Sequence, residues 1–214
     1  MKKSIAVLGL GKFGQSLVRT LNEMGADVLA VDHDEAVVKE IANHCSEAVC
    51  ADLTNEESLT ALGLKDMDIA VVAVGRNLEA SLFAVSVAKE QGVPLIVAKS
   101  TSSRMTSILR KLGADKVIMP EDYAGNRIAV ILASESALDY FQVDDNLCMI
   151  EMKPHSDWVG RSAADLDLRR KYGTNVAAVK DADGKWEMID PEEPLKEGCE
   201  LLVILDRKDL GKIR

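Results

Sequence analysis

The sequence is poor in aromatic residues, in histidine and in cysteines placed to act together. Aromatics make up 4% of its 214 residues against 47% hydrophobic residues in all, so any core has to be aliphatic. That balance suits the Val/Ile-rich strands of parallel sheets. Cys45, Cys50, Cys148 and Cys199 form no Cys-x-x-Cys pair and have no histidine at ligand spacing, so they read as reduced, mostly buried thiols. His33, His44 and His155 are scattered and receive no chemistry. Basic residues number 26 against 35 acidic ones, a formal charge of −9, which argues against nonspecific binding to nucleic acid or anionic lipid. No run approaches the ~20 apolar residues a bilayer crossing needs. Met1-Lys2-Lys3 before Ile5-Ala6-Val7-Leu8 has the look of a signal peptide. However, Gly9, Gly11 and Lys12 cut the apolar stretch short and no small-residue cleavage site follows, so the expected location is the cytoplasm. There is no Ser-His-Asp arrangement, no Walker loop and no side chain that stands out as a proton-transfer partner, which favours binding without chemistry.

What is present is alternation. Over the first ~120 residues, short β-branched runs alternate with helical stretches, the signature of a doubly wound parallel sheet. Strands are expected at Ser4–Leu8, Asp27–Val31, Glu47–Cys50, Asp68–Val74, Leu95–Ala98 and Lys116–Met119. In the helix expected over Lys12–Met24, the residues Phe13, Leu17, Leu21 and Met24 recur at helical spacing. Gly25, Gly63, Gly92 and Gly113 punctuate helix ends. Residues 121–141 read as one long connecting helix. Ile128-Ala129-Val130-Ile131-Leu132-Ala133 is apolar around its whole circumference, so this helix is expected to be buried on more than one side, beneath a second domain or against another subunit. Residues 142–214 then read as a smaller α+β domain. Its strands are expected at Leu147–Met152, Asn175–Lys180, Lys185–Ile189 and Glu200–Leu205, with a short helix within Ser162–Tyr172 and a turn at Asp181-Ala182-Asp183-Gly184.

Gly9-Leu10-Gly11-Lys12-Phe13-Gly14 follows the first strand and opens the first helix. In such a motif the first glycine permits a tight turn, the second lets a phosphate approach the backbone, and the third lets helix pack on strand. The helix N-terminus offers free N–H groups to that phosphate. Asp32 ends the second strand at the spacing of the carboxylate that accepts hydrogen bonds from ribose, which disfavours a 2′-phosphate. Ligands of doubly wound sheets bind outside the carboxyl ends of the strands. Those ends supply Asp52 with Leu53 for an adenine, Gly75-Arg76-Asn77 and Lys99 beside Lys12 for phosphates, and Glu121. Glu121 is the anomaly, because a carboxylate near phosphates repels them. Either a cation such as Mg²⁺ lies between, or it answers a neighbouring subunit's base, or it points away, or it serves the dipole of the helix it begins.

With these residues in place the chain resembles the RCK (TrkA-N plus TrkA-C) regulatory subunits of bacterial potassium uptake systems, in their single-copy KtrA-like form. The likeness rests on the glycine motif, Ala30-Val31-Asp32, Val72-Ala73-Val74-Gly75-Arg76-Asn77-Leu78-Glu79-Ala80-Ser81, Lys99, Gly113-Ala114-Asp115 and Pro120-Glu121. In the second half it rests on Asp165-Leu166-Asp167-Leu168-Arg169-Arg170-Lys171-Tyr172-Gly173-Thr174-Asn175 and Lys196-Glu197-Gly198. The resemblance implies dimers assembled into an octameric ring, attached to the inner face of the membrane on an integral potassium channel or transporter subunit. It implies that ATP favours the conducting state and ADP the closed one. Asp32 would hold ribose, Asp52 adenine, Arg76, Asn77 and Lys99 the phosphates, and Glu121 a cation. Lys12 stands where the family often has Arg; it keeps the charge and loses the planar two-pronged contact, which bears on how strongly ATP is told from ADP. The resemblance further implies a cyclic di-AMP site at a dimer interface involving Arg169 and Asn175, although Val176-Ala177-Ala178-Val179 is smaller than the family's Ile-rich version. Two alternatives share the glycine motif and Asp32: an NAD(H)-responsive sensor and an NAD-dependent oxidoreductase.

Overall fold

The apolar runs of the first half lie side by side. The computed structural model describes residues 2–181 and 183–213, and the chain divides after Glu121 into two units. In the first unit β1 (Ser4–Leu8), β2 (Asp27–Asp32), β3 (Glu47–Cys50), β4 (Ile69–Val72), β5 (Leu95–Lys99) and β6 (Lys116–Ile118) form one parallel sheet. Its order is β3-β2-β1-β4-β5-β6. Between the strands run α1 (Lys12–Glu23), α2 (Glu35–Ile41), α3 (Glu56–Ala61), α4 (Leu78–Glu90) and α5 (Ser103–Leu112). Successive side chains of a strand point to opposite faces, and the sequence fills both. Ala6, Leu8, Leu29, Val31, Ala70 and Val72 join one buried cluster, while Ile5, Val7, Val28, Ala30 and Val71 join another on the other face. This two-sided burial is why the strands read as continuous apolar runs. Strand order reverses between β1 and β4, so the loops after these two strands part there and leave a crevice.

Side chains fix where the helices begin. Asp34, Asn55, Asn77 and Ser102 each accept a hydrogen bond from a backbone N–H of the first turn they precede. Gly11 precedes α1 with no side-chain cap, so the N-terminus of α1 opens without an internal ligand.

In the second unit, α6 (Pro120–Leu132, begun in the first) leads to β7 (Ala137–Gln142) and β8 (Leu147–Met152). These are followed by α7 (Ala163–Leu166), α8 (Leu168–Tyr172), β9 (Thr174–Lys180), β10 (Trp186–Met188) and β11 (Glu200–Asp206). The sheet order is β10-β9-β11-β8-β7, with every pairing antiparallel. Cys148, Ile150, Met152, Leu201, Val203 and Leu205 point to one face and pack with Trp158, Leu166 and Leu168. The expected helix within 162–172 is two short ones, broken at Asp167, whose φ of +49° ends the first. Of the turn expected at Asp181-Ala182-Asp183-Gly184, Ala182 lies outside the described residues. The Gly184 N–H donates to the Asp181 carbonyl at 2.9 Å.

The connecting helix differs from expectation. It does not run over 121–141 but stops at Leu132, and 137–142 is a strand paired with β8. Ser134 ends it: its hydroxyl accepts the Ser136 N–H at 3.3 Å and the Ala137 N–H at 3.1 Å, turning the chain. Thereafter Tyr140 is buried and Phe141 is 43% exposed, the alternation of a strand. The expectation of burial on several sides also fails within one chain. Val130 packs against the core of the second unit, whereas Ile128 is 53% and Leu132 81% exposed.

Candidate functional site

The carboxyl ends of the first unit's strands surround a cavity of about 660 Å³. At its floor the backbone of the glycine motif turns tightly. Gly9 has φ +100°, and a side chain there would meet the Val74 backbone nitrogen at 3.0 Å. A side chain at Gly14 would meet the Gly9 carbonyl oxygen at 2.0 Å, so helix and loop touch at that residue. A Cβ built on Gly11 has no atom within 4 Å. Gly11 therefore presents bare backbone and the open end of α1 to the cavity, the arrangement that accepts an anion.

Twelve of the fourteen residues expected from the sequence line this cavity. Gly9, Gly11, Lys12 and Phe13 come from the first loop; Asp32, Asp52 and Leu53 from the ends of β2 and β3; Gly75, Arg76 and Asn77 from the loop after β4; and Lys99 and Glu121 from the region of β5 and β6. Leu10 and Gly14 are buried and support the loop from behind. His33, Thr54, Ala73, Val74 and Ala80 complete the wall. Ala73, Val74 and Ala80 belong to the stretch that carries the family resemblance, whereas His33 and Thr54 carried no motif and enter only because they neighbour strand ends in space.

The charges are sorted along the cavity. At one end stand two carboxylates. Asp32, 13% exposed, accepts the Leu10 N–H at 2.6 Å on Oδ2 and the Asp34 N–H at 3.0 Å on Oδ1. It thus ties the glycine loop to β2. Asp52 accepts the backbone N–H of Thr54 at 2.8 Å and the Thr54 hydroxyl at 2.7 Å. These bonds hold its carboxyl below the ordinary range, with His33 adding a smaller electrostatic push. Further along the strand order, after β1 and β4 and at the end of β5, are three cations, Lys12, Arg76 and Lys99, the last paired with the Glu121 carboxylate. Asn77 spends its side-chain oxygen capping α4 at Ala80, which leaves its amide N–H groups for other partners.

Glu121 has a partner that spacing could not reveal. Lys99 Nζ lies 2.5 Å from Glu121 Oε1 and 5.8 Å from the centre of the Phe13 ring. The lysine is 11% exposed and the glutamate 64%. The Lys99 hydrogen bond holds the Glu121 carboxyl below the usual carboxylate range. The chain itself therefore supplies a cation to Glu121 at the cavity wall. Gly75 lies beside it, and a Cβ there would be in ordinary van der Waals contact with Lys99 Nζ at 3.4 Å. Among the described residues no group of three or more His, Cys, Asp or Glu side chains is gathered to hold a metal ion.

In the second unit Arg169 and Asn175, the positions matched to cyclic di-AMP, line one shallow recess of about 260 Å³ with Asp167, Ile189 and Pro191. Among the described residues no helix is long and apolar enough to cross a membrane.

Residues 5–120 match the TrkA-N domain and residues 147–214 the TrkA-C domain. The chain is 39% identical over 214 residues to Ktr system potassium uptake protein C of Bacillus subtilis, covering 99% of this chain and 96% of the relative. It is 34% identical over 210 residues to Ktr system potassium uptake protein A of the same organism, covering 98% and 95%. In fold it superposes on the GsuK channel bound to NAD with a TM-score of 0.67 at 16% identity, over 100% of this chain and 39% of that one. The chain belongs to the TrkA-N/TrkA-C family of potassium uptake proteins.

Proposed function

We propose that this TrkA-N/TrkA-C chain is a nucleotide-sensing regulatory subunit. In this reading it binds ATP and ADP and controls potassium flux through a separate integral-membrane channel or transporter, on whose cytoplasmic side it is held peripherally. The observation that carries the reading is the sorting of charge in one cavity. Carboxylates at Asp32 and Asp52 suit a ribose and an adenine amino group, while Lys12, Arg76, Lys99 and the open end of α1 suit phosphates. Adenosine at the first end leaves a terminal phosphate facing Lys99, where it competes with Glu121 for the same ammonium group. ADP, one phosphate shorter, competes less. That difference is what a sensor needs, because a ligand shifts an equilibrium only by its unequal affinity for two states. A divalent cation arriving with ATP would take over from Lys99 as the partner of Glu121.

The role in this reading is regulatory rather than catalytic, as the chain's likeness to Ktr potassium uptake proteins supports. Self-association into dimers and an eight-membered ring is supported by α6, which leaves Tyr123, Ile128 and Leu132 between 53% and 81% exposed. Cyclic di-AMP at Arg169 and Asn175 belongs to the same reading, with two copies of the recess facing one another. A second reading, NAD(H) sensing, is favoured by the cavity's size and by Asp32, which serves any adenosine ribose alike. NADH carries two phosphates, as ADP does, so only the absence of a third phosphate to meet Lys99 weighs against it.

Calorimetry with ATP, ADP and NADH tests the assignment. Asp32→Ala should weaken ATP and ADP together by roughly tenfold or more, because both share the ribose and because the glycine loop loses its tie at Leu10. Wild-type binding of NADH with no measurable ATP binding would transfer the assignment to the second reading. Unchanged ATP affinity in Asp32→Ala would remove the site altogether.

A further inference from the structure

His33 stands at the adenosine end of the cavity with its side chain 81% exposed, and its Nδ1 is 2.8 Å from Asp32 Oδ1. Each carboxylate oxygen offers about two lone pairs. On Asp32, Oδ2 gives one to the Leu10 N–H, and Oδ1 gives one to the Asp34 N–H. With the imidazole in place, Oδ1 has nothing left, and the carboxylate retains one free lone pair where a ribose diol asks for two. The ring is held by little else. Its own backbone carbonyl accepts a weak contact from Cys50 Sγ at 3.4 Å, and the carboxylates of Asp32 and Asp52 lie near the imidazole. An exposed side chain with one partner is free to swing away.

We propose that His33 is an affinity-setting gate on Asp32: its Nδ1 occupies the carboxylate oxygen that a nucleotide's ribose needs, and the ring leaves before adenosine binds. The inference rests on the nucleotide reading of the cavity and adds a residue that opposes binding.

The test compares wild type with His33→Ala by calorimetry at pH 7.5, using ATP, ADP and 2′,3′-dideoxy-ATP. His33→Ala should bind ATP and ADP about threefold to tenfold more tightly than wild type. Dideoxy-ATP, which has no hydroxyl to place on Asp32, should not distinguish the two proteins. Equal or weaker ATP binding by His33→Ala would make the imidazole a wall for adenine and overturn the gate. So would a gain of the same size with dideoxy-ATP. Wild type that binds none of the three would overturn the nucleotide reading and the gate together, whereas wild type that binds them without any gain in the variant would overturn the gate alone.

Discussion

Two single methyl groups, placed three residues apart in the glycine motif, should produce opposite defects. At Gly14 an added Cβ lies 2.0 Å from the Gly9 carbonyl oxygen and 3.5 Å from Ala73 Cβ. The atom it strikes is backbone, held by the Gly9 N–H donating to the Val31 carbonyl at 2.8 Å, so no side chain can rotate aside. The start of α1 has to move off the sheet by an ångström or more. Overpacking a tight core costs typically 1–3 kcal/mol, and a clash with fixed backbone belongs at the upper end, about 3 kcal/mol. For a unit of this size that lowers the melting temperature by about 10 °C.

Gly11 is the counterpart. Its φ of −62° is open to any residue and its Cβ meets nothing within 4 Å, so Gly11→Ala costs about 1 kcal/mol or less, through its capping position. The methyl nevertheless projects where a pyrophosphate would approach, and one or two charge-assisted bonds to backbone N–H groups are lost. ATP affinity should fall about tenfold to a hundredfold. Differential scanning calorimetry and ATP titration on both variants separate the two effects. Gly11→Ala binding ATP as wild type does would refute the loop as a phosphate cradle, and Gly14→Ala melting at the wild-type temperature would refute the packing argument.

Glu121→Gln should bind ATP more tightly than wild type in chelator, because Lys99 no longer has a carboxylate to satisfy, and should lose any enhancement by Mg²⁺; ATP affinity unchanged in chelator would show that Glu121 and phosphate do not compete. Leu132→Asp alters a side chain 81% exposed in the single chain, so the fold should hold and the assembly weaken. Light scattering that shows the same mass for this variant and wild type would place the subunit contact elsewhere.

Much of the first unit was legible because its signals are local. Apolar runs such as Ile5–Leu8 admit no polar face, and the glycine motif sits where a strand becomes a helix. Once the sheet is doubly wound, its strand ends name the cavity residues without further knowledge. Errors arose where the deciding contact is distant or the local signal is ambiguous. Residues 134–140 contain Ser, Glu, Ala, Leu and Asp, all acceptable to a helix, and only Tyr140-Phe141 hint at a strand. What decides is pairing with β8, which places Tyr140 opposite Ile150 and Phe141 opposite Met149. The Lys99–Glu121 pair spans 22 residues and two strand ends, so no periodicity encodes it. His33 looked like one of three scattered histidines for the same reason.

The placement of Glu121 joins two facts that were separate in the sequence. It is the second residue of α6, the helix that begins in the nucleotide-type unit and continues into the second one. It is also the partner of the most enclosed cation in the cavity. Whatever claims Lys99 therefore leaves a carboxylate uncompensated in the first turn of α6. There the dipole of the helix favours negative charge, so the turn itself need not unravel. In the proposed reading the free carboxylate would instead become available to a cation, giving the start of α6 two electrostatic states distinguished by the terminal phosphate. A tenfold preference of ATP over ADP for the state with Lys99 released corresponds to about 1.4 kcal/mol of coupling. That lies within the usual range for allosteric proteins, so in the proposed reading one ion pair at the first turn of α6 would be enough to convert a difference of one phosphate into a difference of conformational population.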